Sequence, residues 1–145
     1  MPDPYASHVR PLRALLIAER PRRVLEYGGG EYSTGLFLSF GHLERLVTVE
    51  ADEDWRTRLT SMFSDRRHRI VSSGNPSPDD FDLIFIDDGT SAAQRTQTIR
   101  AVLSAPHPTV VIHDAEVYAP VIDEYTQVYE VFPTGPDTAV ITATN

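Results

Sequence analysis

Val24-Leu25-Glu26-Tyr27-Gly28-Gly29-Gly30-Glu31-Tyr32-Ser33-Thr34 runs from a short apolar strand, through three consecutive glycines, into a segment of helical period. Glycines at a strand-to-helix turn allow positive φ and close approach of a ligand to the backbone, and the start of a helix offers N–H groups with no intrahelical partner. A tight turn capped by Ser33 or Thr34 accounts for the same residues without a ligand. The flanking strand and helix favour the ligand-binding reading. Ser33 stands where a G-x-G-x-x-G dinucleotide fingerprint needs its third glycine, which weakens an NAD reading.

Twenty residues beyond Gly30, Glu50 closes the apolar run Leu46-Val47-Thr48-Val49. A carboxylate there can accept both hydroxyls of a ribose, the role of the acid that follows the glycine loop in nucleotide-binding α/β folds. The alternative is a helix-capping acid within Glu50-Ala51-Asp52-Glu53-Asp54, where acids favour the positive end of a helix.

Further strands are expected at Arg23–Tyr27, Leu46–Glu50, Arg69–Ser72, Asp82–Asp87 and Thr109–His113. Helical spacings lie between them: Tyr32, Leu36, Phe40; Trp55, Leu59, Met62, Phe63; Ala92, Thr96, Ile99, Leu103. Val9, Leu12 and Leu16 predict a helix before the first strand. Trp55 shares the register of Leu59 and Met62, which favours core packing for it. Alternating strands and helices imply a parallel sheet covered on both faces. Gln127–Phe132 and Thr138–Thr144 break the rhythm, because five residues between them suit a hairpin and not a crossover helix. Ser73–Phe81, with Gly74, Pro76 and Pro78, reads as a crossover trimmed to a loop.

The chain has 145 residues, room for one domain. Residues 1–20 are expected to give an N-terminal helix and residues 23–144 the ligand-binding core. A net charge of −8 argues against a broad nucleic-acid footprint. Without cysteine, disulfides, thiolate metal sites and cysteine nucleophiles are excluded, and the absence of lysine removes Schiff-base chemistry. No apolar run has the length of a membrane span or a signal-peptide core, so the expected compartment is the cytoplasm.

Asp87, Asp88, His113 and Asp114 are expected at one sheet edge, from adjacent strand ends. His113 or Asp87 suits a general base. Asp87, Asp88 and Asp114 together would suit Mg²⁺ or Ca²⁺. In the plain alternative Asp88-Gly89 is a turn, Asp87 caps a helix and His113 is a satisfied strand-end side chain. No metal ligand set is assigned. Arg95, one turn into the next helix, is expected to form a surface ion pair or to pair with Asp88. Tyr5, His8 and Tyr32 are candidates to line an acceptor side.

Taken together, four stretches resemble class I S-adenosylmethionine-dependent methyltransferases. Val24–Thr34 is similar to their first motif and Leu46–Glu50 to the second-strand acid motif. Phe81–Gly89 resembles the fourth-strand motif, and Val110-Val111-Ile112-His113-Asp114-Ala115 the fifth-strand motif of a small bacterial subgroup. The likeness covers about residues 20–144, in register. It implies a Rossmann-like doubly wound α/β sheet of order 3-2-1-4-5-7-6 with strand 7 antiparallel. S-adenosyl-L-methionine is the implied cofactor. Glu26 and the loop at Gly28, Gly29, Gly30, Ser33 and Thr34 would hold its methionine portion, and Glu50 its ribose. Ala51 would lie against the adenine and Ser73 would close over the ring. Asp87, like Glu26, would favour the sulfonium, with His113, Asp87 and Asp114 as the catalytic candidates.

The function implied is methyl transfer to oxygen or nitrogen of a small acceptor, neutral or cationic because acids crowd the site edge. Aminocarboxypropyl transfer, cyclisation or lysis of the same cofactor, or a binding protein without turnover, are the competing readings. Neither nucleic acid nor membrane is an expected partner. The apolar hairpin (Val128, Val131, Phe132, Val140, Ile141) suits the pairing of two copies.

Overall fold

A computed structural model of the chain describes residues 6–89 and 91–144. Five parallel strands come first along the chain: β1 (Arg23–Tyr27), β2 (Arg45–Val49), β3 (His68–Val71), β4 (Leu83–Ile86) and β5 (Thr109–His113). The antiparallel hairpin β6 (Glu130–Phe132) and β7 (Thr138–Ile141) then closes the sheet. The order is β3-β2-β1-β4-β5-β7-β6, with β7 antiparallel to β5. This is the expected order, and the hairpin strands are shorter than expected.

Period two along each strand sends neighbours to opposite faces, and here both faces are apolar. Leu25, Ile84, Val110 and Ile112 pack beneath α4 (Ala92–Leu103) and α5 (Ala115–Ile122) through Ile99, Val102, Tyr118 and Ile122. Val24, Leu46, Leu83, Phe85 and Val111 face Leu12 and Leu16 of α1 (Val9–Glu19) and Phe37 of α2 (Ser33–Leu38).

Two local features differ from expectation and a third agrees with it. The helix α5 was not anticipated: it starts at Asp114, whose φ of 59° is left-handed, and contains Pro120. The crossover after β3 is a loop with a single 3-10 turn at Pro78–Asp80, as expected for Ser73–Phe81. In α3 (Glu53–Met62) only Leu59 is buried. Met62 is exposed and Trp55 is half-buried, so the expected core packing of Trp55 is incorrect; α3 buries one residue, Leu59, and turns the rest of its length toward solvent. Among the described residues no helix is long and apolar enough to cross a membrane.

Candidate functional site

The parallel strands all end at one edge, and the β1 end is tied there to the ends of β2 and β4. Gly28 N–H donates to the Val49 carbonyl and Asp87 N–H to the Tyr27 carbonyl, both at 2.9 Å. Gly28 has φ +79°, and a Cβ on it would lie 2.5 Å from the Asp87 carbonyl oxygen. A Cβ on Gly29 would meet Leu59 Cδ1 at 2.7 Å and Thr48 Cγ2 at 2.8 Å. Gly28 therefore needs to be glycine, both for its left-handed backbone and for its approach to the β4 end, while a side chain at Gly29 would have to displace Leu59 and Thr48.

Glu26 lies beneath this loop, fully buried. The hydroxyls of Thr34 and Thr48 donate to its Oε1 at 2.7 and 2.8 Å, and Thr34 Oγ1 accepts the Gly30 N–H at 3.1 Å. Burial pushes the Glu26 carboxyl up to about 7. Its implied role as a direct holder of a ligand is corrected: Glu26 and Thr34 anchor the loop from below and line none of the cavities at the edge.

Three cavities run along the strand ends and share walls. The first, about 220 Å³, lies between Glu50, Ala51 and Ser73 on one side and Asp88, Gly89 and Thr98 on the other. The second, about 460 Å³, is bounded by Gly28, Gly29, Glu50, Trp55 and Asp87. The third, about 370 Å³, is bounded by Gly29, Gly30, Ser33, Tyr32, Trp55, His8 and Asp87. Glu50 and Gly89 are common to the first two, and Gly29, Trp55 and Asp87 to the last two, so the three form a trough.

Glu50 stands one residue past β2, half-buried at the junction of the first two cavities. Burial raises its carboxyl above the ordinary value. Helix capping falls to Asp52, whose side chain accepts the Trp55 N–H at 2.8 Å. Glu50 is thus a wall of the trough and not the cap. Trp55, missed as a site residue, donates its indole N–H to the Gly29 carbonyl. Its place in the first turn after Glu50 was the available signal.

At the far end, Asp87 lines the second and third cavities. Its Oδ1 lies 3.2 Å from Arg95 Nη2 and 3.1 Å from His113 Nδ1. Arg95 is not the expected surface residue. It is 7% exposed. It donates to the Asp88 and His113 carbonyls and, at 2.7 Å, to Asp114 Oδ2. Its pairs are Asp87 and Asp114, not the Asp88 carboxylate. Asp88 Oδ2 instead accepts from the Thr98 hydroxyl at 2.6 Å, and burial raises that carboxyl. Arg95 stands between Asp87 and Asp114 while Asp88 turns to Thr98, so the oxygen-rich cation site that these three acids would have suited is not assembled. Helix α4 is capped by Ser91 and not by Asp87.

His113 is buried behind Asp87, with Nε2 at 2.7 Å from Ser7 Oγ. Neither His113 nor Asp114 lines a trough cavity. His8, also buried, packs edge-on against the His113 ring and against Phe85, and burial lowers it to about 4. His8 and Tyr32 do face the third cavity. Tyr5 lies outside the described residues. Ser7 and His8 come to the strand ends through a contact 106 residues apart in sequence, which no local motif could signal.

No protein-family model matches the sequence, and no curated protein matches it. Solved structures do share the fold. The chain superposes on the methyltransferase domain of bacterial CtHen1-C with a TM-score of 0.69 at 13% identity, covering 97% of this chain and 98% of that one. The N-methyltransferase NodS from Bradyrhizobium japonicum WM9, in complex with S-adenosyl-L-homocysteine, gives 0.57 at 17% identity over 94% and 83% of the two chains. Spermidine synthase from Thermotoga maritima gives 0.65 at 16% identity, with 96% of this chain covering 59% of that one.

Proposed function

We propose that the protein binds S-adenosyl-L-methionine in the trough and transfers its methyl group to oxygen or nitrogen of a small acceptor in the cytoplasm. The observation that carries this reading is that Glu50, Asp87 and the Gly28–Gly29 loop line one cavity at the strand ends, Glu50 being shared with the first cavity and Asp87 with the third. In doubly wound folds a ligand lies outside the carboxyl ends of the strands at the switch point, here between β1 and β4. The residues fit the cofactor: Glu50 suits ribose hydroxyls, Ala51 and Ser73 line the cavity for the adenine, and the loop from Gly28 to Ser33 lines the cavities for ribose and amino acid.

The bound cofactor supplies an electrophilic methyl on a sulfonium, which an acceptor lone pair displaces in line, the electron pair of the broken C–S bond remaining on sulfur. This chain contributes position and charge. Glu26 and Thr34 fix the loop. Asp87, held by Arg95 and His113, offers negative charge beside the sulfonium and is the base facing the acceptor end; His113 acts through it. Asp114 holds Arg95 in place. Acids Glu31, Asp52, Asp54 and Asp87 outnumber Arg58 around the second and third cavities, which favours a neutral or cationic acceptor. A pairing of two copies would use the β6 edge, where Val128, Val131 and Phe132 are exposed.

Calorimetric titration with S-adenosylmethionine and S-adenosylhomocysteine tests the reading, and no binding at millimolar ligand overturns it. The second reading is transfer of another group from S-adenosylmethionine, on a fold that a spermidine synthase also has. Product analysis with the cofactor alone and then with candidate acceptors separates the two.

A further inference from the structure

Asp88 stands two residues past the end of β4 and lines the first cavity alone, whereas Glu50 is shared by the first and second. It is 7% exposed, and its Oδ1 is buried with no hydrogen-bond partner among the described residues. A buried polar atom without a partner is costly, and few are left so in a folded chain. The other oxygen is engaged, since the Thr98 hydroxyl donates to Oδ2 at 2.6 Å. Were that carboxyl protonated, the proton would lie in the same contact and the Thr98 hydrogen would turn to the Gln94 carbonyl at 3.1 Å. Oδ1 keeps bare lone pairs in both arrangements, so it calls for a hydrogen-bond donor whichever way the proton lies.

Glu50 apart, the other side chains that line this cavity and form hydrogen bonds are amides and hydroxyls, among them Ser73, Asn75 and Gln97. Amides and hydroxyls offer donors and acceptors alike and turn to suit a ligand. A carboxylate does not, and the stretch 72–78 after β3 contains none. Asp88 is therefore the group in this cavity that separates ligands by the sense of a hydrogen bond.

The next step rests on the reading of the trough as a site for S-adenosylmethionine, in which Glu50 at the junction of two cavities takes the ribose and the purine enters the first. We propose that Asp88 reads the 6-position of that purine, Oδ1 accepting from the exocyclic amino group of adenine and rejecting a 6-oxo purine. A 6-oxo purine turns an acceptor oxygen toward Oδ1, and two acceptors at hydrogen-bond distance repel. Discrimination of this kind is strong because the wrong ligand leaves buried polar groups unpaired.

The test is calorimetric titration of the whole chain with S-adenosylhomocysteine and with S-inosylhomocysteine, which carries oxygen where the first has its 6-amino group. The wild type is expected to bind the adenine compound about tenfold to a hundredfold more tightly. Asp88→Asn keeps an oxygen for Thr98 and turns an amide N–H₂ to the place of Oδ1, so the preference should fall to parity or reverse in favour of the 6-oxo compound. Thermal melts of the free proteins establish folding. If the asparagine variant does not fold, Asp88→Ala, which removes the acceptor without adding a donor, should show the same loss of preference. Equal affinity of the wild type for the two compounds overturns the proposal and leaves the S-adenosylmethionine reading standing, as does an undiminished preference for adenine in a folded Asp88 variant. Failure of both compounds to bind the wild type overturns that reading, and the proposal with it.

Discussion

The Thr34 hydroxyl donates to Glu26 Oε1 at 2.7 Å while its oxygen accepts the Gly30 N–H at 3.1 Å, so one threonine ties the glycine loop to a carboxyl buried in the strand before it. This makes Glu26 a source of pH-dependent stability. The folded-state value is about 7 against an ordinary 4.5, so between these values the folded chain binds more protons than the unfolded one. Its contribution is complete below about 4.5 and is lost as pH rises to about 7. Thermal melts of wild type and Glu26→Gln across pH 4 to 8, about one unit apart, should show this decline in the wild type and its absence in the variant. Parallel profiles would contradict the account.

Gly28→Ala should be severe. The left-handed backbone alone costs a non-glycine residue about 1–3 kcal/mol, and the new Cβ would also meet the Asp87 carbonyl. Denaturant melts should show a loss of at least that size. Gly30→Ala, with nothing within 4 Å of its Cβ, is the control and should melt near wild type.

Arg95→Met should cost about 2–4 kcal/mol, because it leaves two partly buried carboxylates without the guanidinium they share. Arg95→Lys should recover only part of this, since an ammonium cannot reach the Asp88 and His113 carbonyls and both carboxylates with the geometry of a guanidinium. Equal stability of the lysine variant and the wild type would show that the fork is not needed.

Asp52→Ala should lower stability by about 1 kcal/mol through loss of the α3 cap. Equilibrium unfolding checks this, and the effect should be larger than that of Glu50→Ala in the same assay, because Glu50 does not cap the helix.

The parallel sheet was legible because strands buried on both faces read as apolar runs, as Leu83–Ile86 and Thr109–His113 do, whereas the strand order followed only from the resemblance of the four motifs to a known family. The glycine loop and Glu50 were legible because their geometry is local to one strand-to-helix turn. Glu26 was misjudged because its face was not considered: period two puts it with Val24, on the side where α2 covers the sheet and Thr34 waits. Trp55 was hidden by a register it shares with Leu59. Arg95, Ser7 and His8 were not legible, because their partners come from β4, β5 and the β6–β7 turn, and no spacing along the chain encodes that meeting. Helix α5 was obscured by Pro120 and by its left-handed start at Asp114.

The central claim is that the trough is a nucleoside site with Glu50 as its ribose acid. The most direct measurement is calorimetric titration of S-adenosylhomocysteine into wild type and Glu50→Ala under one set of conditions. The account predicts saturable one-to-one binding by the wild type and affinity lowered about tenfold to a hundredfold in the variant, as expected for loss of hydrogen bonds to a charged group, with unchanged melting of the free protein. Absence of binding by the wild type, or equal affinity in the two proteins, would contradict it.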